Sequence, residues 1–259
     1  MPKKNMFDGA APVLIAICFL VVPIITVLAN TRKQNVPTAD YAKAVREAMQ
    51  PDSHTSHSLV SVNLDQPVTV VTWTRQKQVP DYKNGTTPTY KNTWVTVVPR
   101  LKSFCQDYVR SNGSDPRQLT LRLEQRLGLP SGSNYDSFVE VTVDPKDKST
   151  FFRPCDEPSV NTNSCDPPAL PEVVKDKIKA LDLKDDKEIA RYWLLSTYYR
   201  SFASRDQYPW TSLGYTFDWA PKGDDSADFI RWGESEFVIA PGTPIKFVSA
   251  ADTVTYCTP

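Results

Sequence analysis

Asp115-Pro-Arg-Gln-Leu-Thr-Leu-Arg-Leu-Glu-Gln-Arg-Leu-Gly-Leu-Pro130 carries the clearest local signature in the chain. Asp115 can cap the amides of a first turn, Pro116 suits the first helical position, and Gln118 completes a capping-box pattern. Leu119, Leu123 and Leu127 recur along one stripe; Gly128 can take the left-handed stop and Pro130 prevents continuation. The spacing predicts a helix over 116–127.

On both sides of this helix the period changes from helical to alternating. Upstream, Ser58–Leu64 and Val68–Arg75 are rich in β-branched residues, with Asp65-Gln-Pro67 as the hairpin turn between them. Thr93–Val98 reads as another strand, and Leu101, Phe104, Cys105 and Tyr108 fall at helical spacing behind Pro99. Downstream, Phe138–Val143 alternates, with Val139, Val141 and Val143 on one face. Helices are expected over about 172–182 and 185–203, the second aligning Ile189, Tyr192, Trp193, Ser196 and Tyr199. Trp210–Trp219, Glu236–Ile239, Pro244–Ser249 and Thr253–Cys257 then read as strands. Strands and helices without regular βαβ alternation predict one α+β domain over 58–259, a mixed, mainly antiparallel sheet with packed helices.

The other end of the chain is different in kind. After a short tail (1–9), Gly9 to Thr31 carries no charged side chain. Roughly 18 apolar residues at ~1.5 Å rise are enough to cross the ~30 Å hydrocarbon core of a bilayer, so 10–30 reads as a transmembrane anchor. A cleaved export signal is the alternative, with Lys3 and Lys4 as its basic start and Val27-Leu28-Ala29 as its cleavage site. The run is longer than such signals require, which favours the anchor. Residues 31–57 form a juxtamembrane linker, in which Asp40–Met49 suits a short helix with Tyr41, Val45 and Ala48 on one side.

Beyond Cys18 four cysteines remain: Cys105, Cys155, Cys165 and Cys257. Their even number, without CxxC or His–Cys spacing, points to two disulfides rather than a metal site, and so to a non-cytoplasmic (in a bacterium, periplasmic) domain. Four cysteines allow three pairings. Proximity within the proline-rich loop 153–171 favours Cys155–Cys165, which leaves Cys105–Cys257.

Composition removes several functions. With 30 Lys+Arg against 30 Asp+Glu the net charge is zero, so there is no basic footprint for nucleic acid. The only histidines, His54 and His57, sit in the polar linker without a third ligand nearby. No phosphate loop, dinucleotide fingerprint or metalloprotease motif occurs, and no cofactor or metal is expected.

Two segments are candidate sites. Tyr208-Pro-Trp-Thr-Ser-Leu-Gly-Tyr-Thr-Phe-Asp-Trp219, with Trp232 downstream, concentrates rings beside Asp218 and Arg231. Alternation assigns Tyr215, Phe217 and Trp219 to the core. Trp210 and Trp232, at element ends, are the rings expected to be exposed for binding. The second segment, Gly233-Glu-Ser-Glu-Phe-Val-Ile-Ala-Pro-Gly-Thr-Pro-Ile-Lys-Phe247, resembles the Glu-x-Glu strand and turn of mono-ADP-ribosyltransferases. That resemblance implies a catalytic carboxylate at Glu236 with Glu234 as its partner, and an early-strand arginine, for which Arg75 stands. The family's Ser-Thr-Ser strand has only Thr211-Ser212 to match it, and the likeness spans 233–247 alone.

Taken on residues alone, the chain is expected to be a single-pass, membrane-anchored envelope protein. Its domain would bind or scaffold an envelope protein or glycan. The alternative is an anchored carboxylate enzyme acting on a glycan or nucleotide.

Overall fold

A computed structural model describes residues 39–48, 58–155, 158–166, 194, 196–197, 200–201, 207–221 and 232–259. The expected anchor at 10–30, both histidines, the 172–182 helix and most of the 185–203 helix lie outside these residues. Among the described residues no helix is long and apolar enough to cross a membrane. The mixed helices and antiparallel sheet make the domain α+β.

Six strands form the main sheet: β1 (Val68–Thr74), β2 (Thr93–Val97), β3 (Ser137–Val143), β4 (Phe151–Phe152), β7 (Phe237–Ile239) and β8 (Lys246–Asp252). Their order is β4-β7-β2-β1-β3-β8, and every pair is antiparallel. The remaining two, β5 (Tyr215–Phe217) and β6 (Trp232–Ser235), make a separate antiparallel pair. The helices are α1 (Ala39–Ala48), α2 (Val79–Lys83), α3 (Arg100–Asn112), α4 (Pro116–Arg126) and α5 (Thr253–Cys257).

β1 and β3 are buried along nearly their whole length because the main sheet is covered on both faces. Val70, Val95, Val139, Val141, Phe151, Phe237 and Ile239 point to one face, where Val79 and Tyr82 of α2 complete the core. Val71, Trp73 and Phe138 point to the other, against Leu101 and Cys105 of α3, Leu119 and Leu123 of α4, and Tyr256 of α5. α4 begins as its sequence requires: the Asp115 side chain accepts from the amides of Arg117 and Gln118, both at 3.0 Å. α1 lays Tyr41, Ala44, Val45 and Ala48 on Phe217 and Trp219, so this part of the expected linker is packed against β5 and the residues that follow it.

Three segments depart from expectation, each for a long-range reason. Ser58–Leu64 forms no hairpin with β1, because β2 and β3 already occupy both of its edges. Instead Leu59 N donates to Asn163 O and Val62 N to Val160 O, each at 2.9 Å, zipping the segment to the cysteine loop. Thr253–Cys257 is helical despite its β-branched residues. Asp252 caps it by accepting from Thr255 N, and the turn delivers Cys257 to α3. Of Trp210–Trp219 only Tyr215–Phe217 is strand; Trp210 makes an isolated bridge to Thr216.

Both expected cysteine pairs are within bonding distance, with Cα–Cα separations of 5.1 Å for Cys105–Cys257 and 6.1 Å for Cys155–Cys165. The first ties α3 to the C-terminal turn and the second closes the loop that the 58–62 segment pairs with.

Candidate functional site

The two glutamates of the Glu-x-Glu segment are both buried, and they do different work. Glu234 lies at the end of an ionic clip between α4 and the β5–β6 pair. Arg126 Nε donates to Glu234 Oε1 at 2.8 Å, and its Nη1 donates to Trp232 O at 3.0 Å. Arg122 donates to both oxygens of Asp218, at 3.0 and 2.7 Å, and Arg126 Nη1 is 3.6 Å from the same carboxylate. The Phe104 ring lies 4.7 and 4.6 Å from the two guanidinium carbons. Gly233 admits this approach, since a Cβ there would stand 2.1 Å from Thr216 Oγ1 and 2.2 Å from Arg126 O. Every acid in the clip is matched by an arginine, so the arrangement is structural.

Glu236 is the single residue at which the chain passes from β6 in the small sheet to β7 in the large one. Its amide donates to Gly214 O at 3.0 Å. Burial pushes its carboxyl up to about 8, with the Trp210 indole and the Arg153 guanidinium pulling the other way. Arg153, fully buried, gives its Nη2 protons to the carbonyls of Val60 (2.7 Å), Thr162 (3.0 Å) and Val160 (3.4 Å) and stacks over Phe237 at 4.5 Å. Burial thus favours the protonated form of Glu236, which can donate as well as accept.

Glu236 faces a cleft of about 880 Å³, in the range of small-ligand sites. It opens between the α4-covered face of the main sheet, the turn after α4 and the 207–217 segment. Trp73 and Tyr135 line one part, edge to face at 5.6 Å; Trp94 and Trp210 line another, edge to face at 6.3 Å. Lys91 also lines it, its pKa drawn down chiefly by burial. Glu236 is the only carboxyl among the described lining residues. No cluster of three metal-ligating side chains occurs among the described residues.

The rings differ from expectation. Trp210 is buried, at 6% exposure, because the 207–217 segment folds it against Trp94. Trp232 is half-buried, tilted against Tyr215 at 5.3 Å and outside the cleft lining. The ring that sequence reasoning missed is Trp94, 37% exposed in the middle of β2. A large aromatic alternating with buried residues in a strand was its only local signal. The parts implied by the ADP-ribosyltransferase resemblance do not assemble. Arg75 donates to Ser133 O and lies over Tyr135, while the glutamates meet Arg126 and Arg153 instead. Thr211 and Ser212 spend their hydroxyls on the carbonyls of Tyr215 and Thr211.

Compared with family models, curated proteins and solved structures, the chain finds no match.

Proposed function

We propose that this chain is a single-pass, N-terminally anchored envelope protein whose α+β domain lies on the non-cytoplasmic side and binds an envelope partner through the cleft at Trp94, Trp210 and Glu236. One observation carries the address: an uncharged run long enough to span a bilayer precedes a domain whose four cysteines sit as two bonding pairs. The tether confines the domain to the membrane surface, where even modest affinity suffices for a partner at high local concentration. A reporter active only outside the cytoplasm, fused after Pro259, is expected to be active; an inactive reporter on a stable fusion would overturn the orientation.

A second reading, an anchored carboxylate enzyme, is favoured by the raised pKa of Glu236 in a cleft. Against it, hydrolysis of glycosides ordinarily takes two carboxyl groups across the scissile bond, and Glu234 is held in the arginine clip. Turnover of a glycan or nucleotide that disappears in Glu236→Gln would favour this reading over simple binding.

A further inference from the structure

The cleft holds a cation that the fold leaves without a counter-ion. Elsewhere the domain matches its part-buried cations: Arg122 with Asp218, Arg126 with Glu234, and Arg153 with backbone carbonyls. Lys91, half-buried just before β2, is different. Among the described residues its ammonium makes no hydrogen bond and no ion pair; the Tyr90 ring, 5.8 Å away, lies against it. Asp81, the nearby acid, accepts instead from Tyr90 Oη at 2.9 Å. Burial draws the Lys91 pKa down; Asp81 opposes the shift, and Arg75, stacked over the cleft ring Tyr135, adds to it. An ammonium held this way bears a desolvation cost that a pairing anion would offset.

The rest of the cleft agrees in sign. Its other charged lining residues, among those described, are Arg200, which is exposed, and Glu236, whose protonated form burial favours. No exposed carboxylate lines it there. Its rim is apolar: Tyr90, Trp94 and Tyr208 are three of the five exposed large hydrophobic side chains among the described residues, and all three line this cleft. Exposed Tyr and Trp beside Arg, with Asp and Glu missing, is the composition of protein-binding surfaces and of their energetic centres. A neutral or basic segment would leave Lys91 desolvated and unpaired, so charge selects an acidic one. We propose that the cleft takes an acidic peptide segment of a partner protein, an aspartate or glutamate carboxylate paired with Lys91 and a neighbouring apolar side chain against Trp94 and Tyr208. The proposal rests on the reading of the domain as an envelope-binding module and narrows its partner to a protein.

The test uses the full chain, immobilised in a zwitterionic detergent and panned against a displayed library of short random peptides. The most enriched peptide is synthesised together with a copy in which every Asp and Glu becomes Asn or Gln, and both are titrated by calorimetry. The enriched peptides are expected to set an acid beside an aromatic or aliphatic residue, and the amide copy to bind about tenfold more weakly. Lys91→Met keeps the apolar stem and is expected to weaken the acidic peptide by about the same factor. Its melting temperature should not change, since no described residue bonds to the ammonium. Trp94→Ala is expected to weaken the acidic peptide and its amide copy alike, by about tenfold. Enrichment of neutral or basic peptides, or an acidic peptide that binds Lys91→Met like the parent, overturns the inference while a binding cleft survives. A glucuronate hexasaccharide that binds through Lys91 when no peptide is enriched overturns the peptide assignment. Peptides that bind Trp94→Ala like the parent would overturn the cleft itself, and with it the binding reading. The orientation of the domain is decided independently, by the reporter fusion.

Discussion

Replacing Arg126 by alanine isolates the ionic clip. Its guanidinium reaches Glu234 Oε1 at 2.8 Å, Trp232 O at 3.0 Å and Asp218 at 3.6 Å. The carboxylate side chains of Glu234 and Asp218 are each only 2% exposed. Asp218 keeps both bonds from Arg122 and the amide of Ala220, so it survives the change. Among the described residues Glu234 has no such reserve, and without Arg126 its buried carboxylate loses the one arginine that meets it there. Breaking one side of a buried pair costs about 3–5 kcal/mol, and losing the stack on Phe104 at 4.6 Å adds ~0.5–1 kcal/mol. Urea denaturation followed by tryptophan fluorescence measures the loss as the shift in midpoint at constant slope. Removing both charges, in Arg126→Met with Glu234→Gln, should recover most of it. A single variant that loses under ~1 kcal/mol, or a double variant as unstable as the single, would refute the reasoning.

Three further outcomes follow from the packing and the chemistry. Cys105→Ser opens a link between residues 152 apart in sequence and should cost roughly 4–5 kcal/mol by chain entropy, read as a lower urea midpoint under non-reducing conditions. Trp219→Ala removes a buried indole that donates to Leu129 O at 3.0 Å and meets Tyr41 edge-on at 5.5 Å. It should cost ~3–5 kcal/mol, and Trp210→Ala, equally buried, a similar amount in thermal melts. Stability should fall as pH rises from 4.5 to about 8. In that window the folded Glu236 carboxyl, beside Arg153 and Trp210, still holds the proton that the unfolded chain has released. The slope should be at most ~1.4 kcal/mol per pH unit, and Glu236→Gln should flatten it; an unchanged slope in that variant would assign the dependence elsewhere.

What the sequence made legible is what local chemistry determines. The helix from Pro116 was readable because Asp115, the leucine stripe and Gly128 all lie within one stretch. The disulfide partners were readable because four cysteines allow few pairings and two of them share a loop. Ser58–Leu64 was misread because its β-branched pattern cannot say that both edges of β1 are already taken. Thr253–Cys257 was misread because its helix depends on the Asp252 cap and on the reach to Cys105. The cleft was invisible for the same reason. Trp94 and Glu236 come to line one cleft only when β2 pairs with a strand far along the chain.

An anchored, disulfide-bonded domain outside the cytoplasm, as proposed, is tested directly by the redox state of its cysteines in cells. Cells expressing the full chain are acid-quenched and their free thiols alkylated without reduction. The protein is then recovered from carbonate-washed membranes, and its mass reports how many of its five cysteines were free. One alkyl group, on Cys18, is expected in the membrane fraction, with Cys105, Cys155, Cys165 and Cys257 all protected. Five alkyl groups, or recovery of the chain in the carbonate wash, would contradict it.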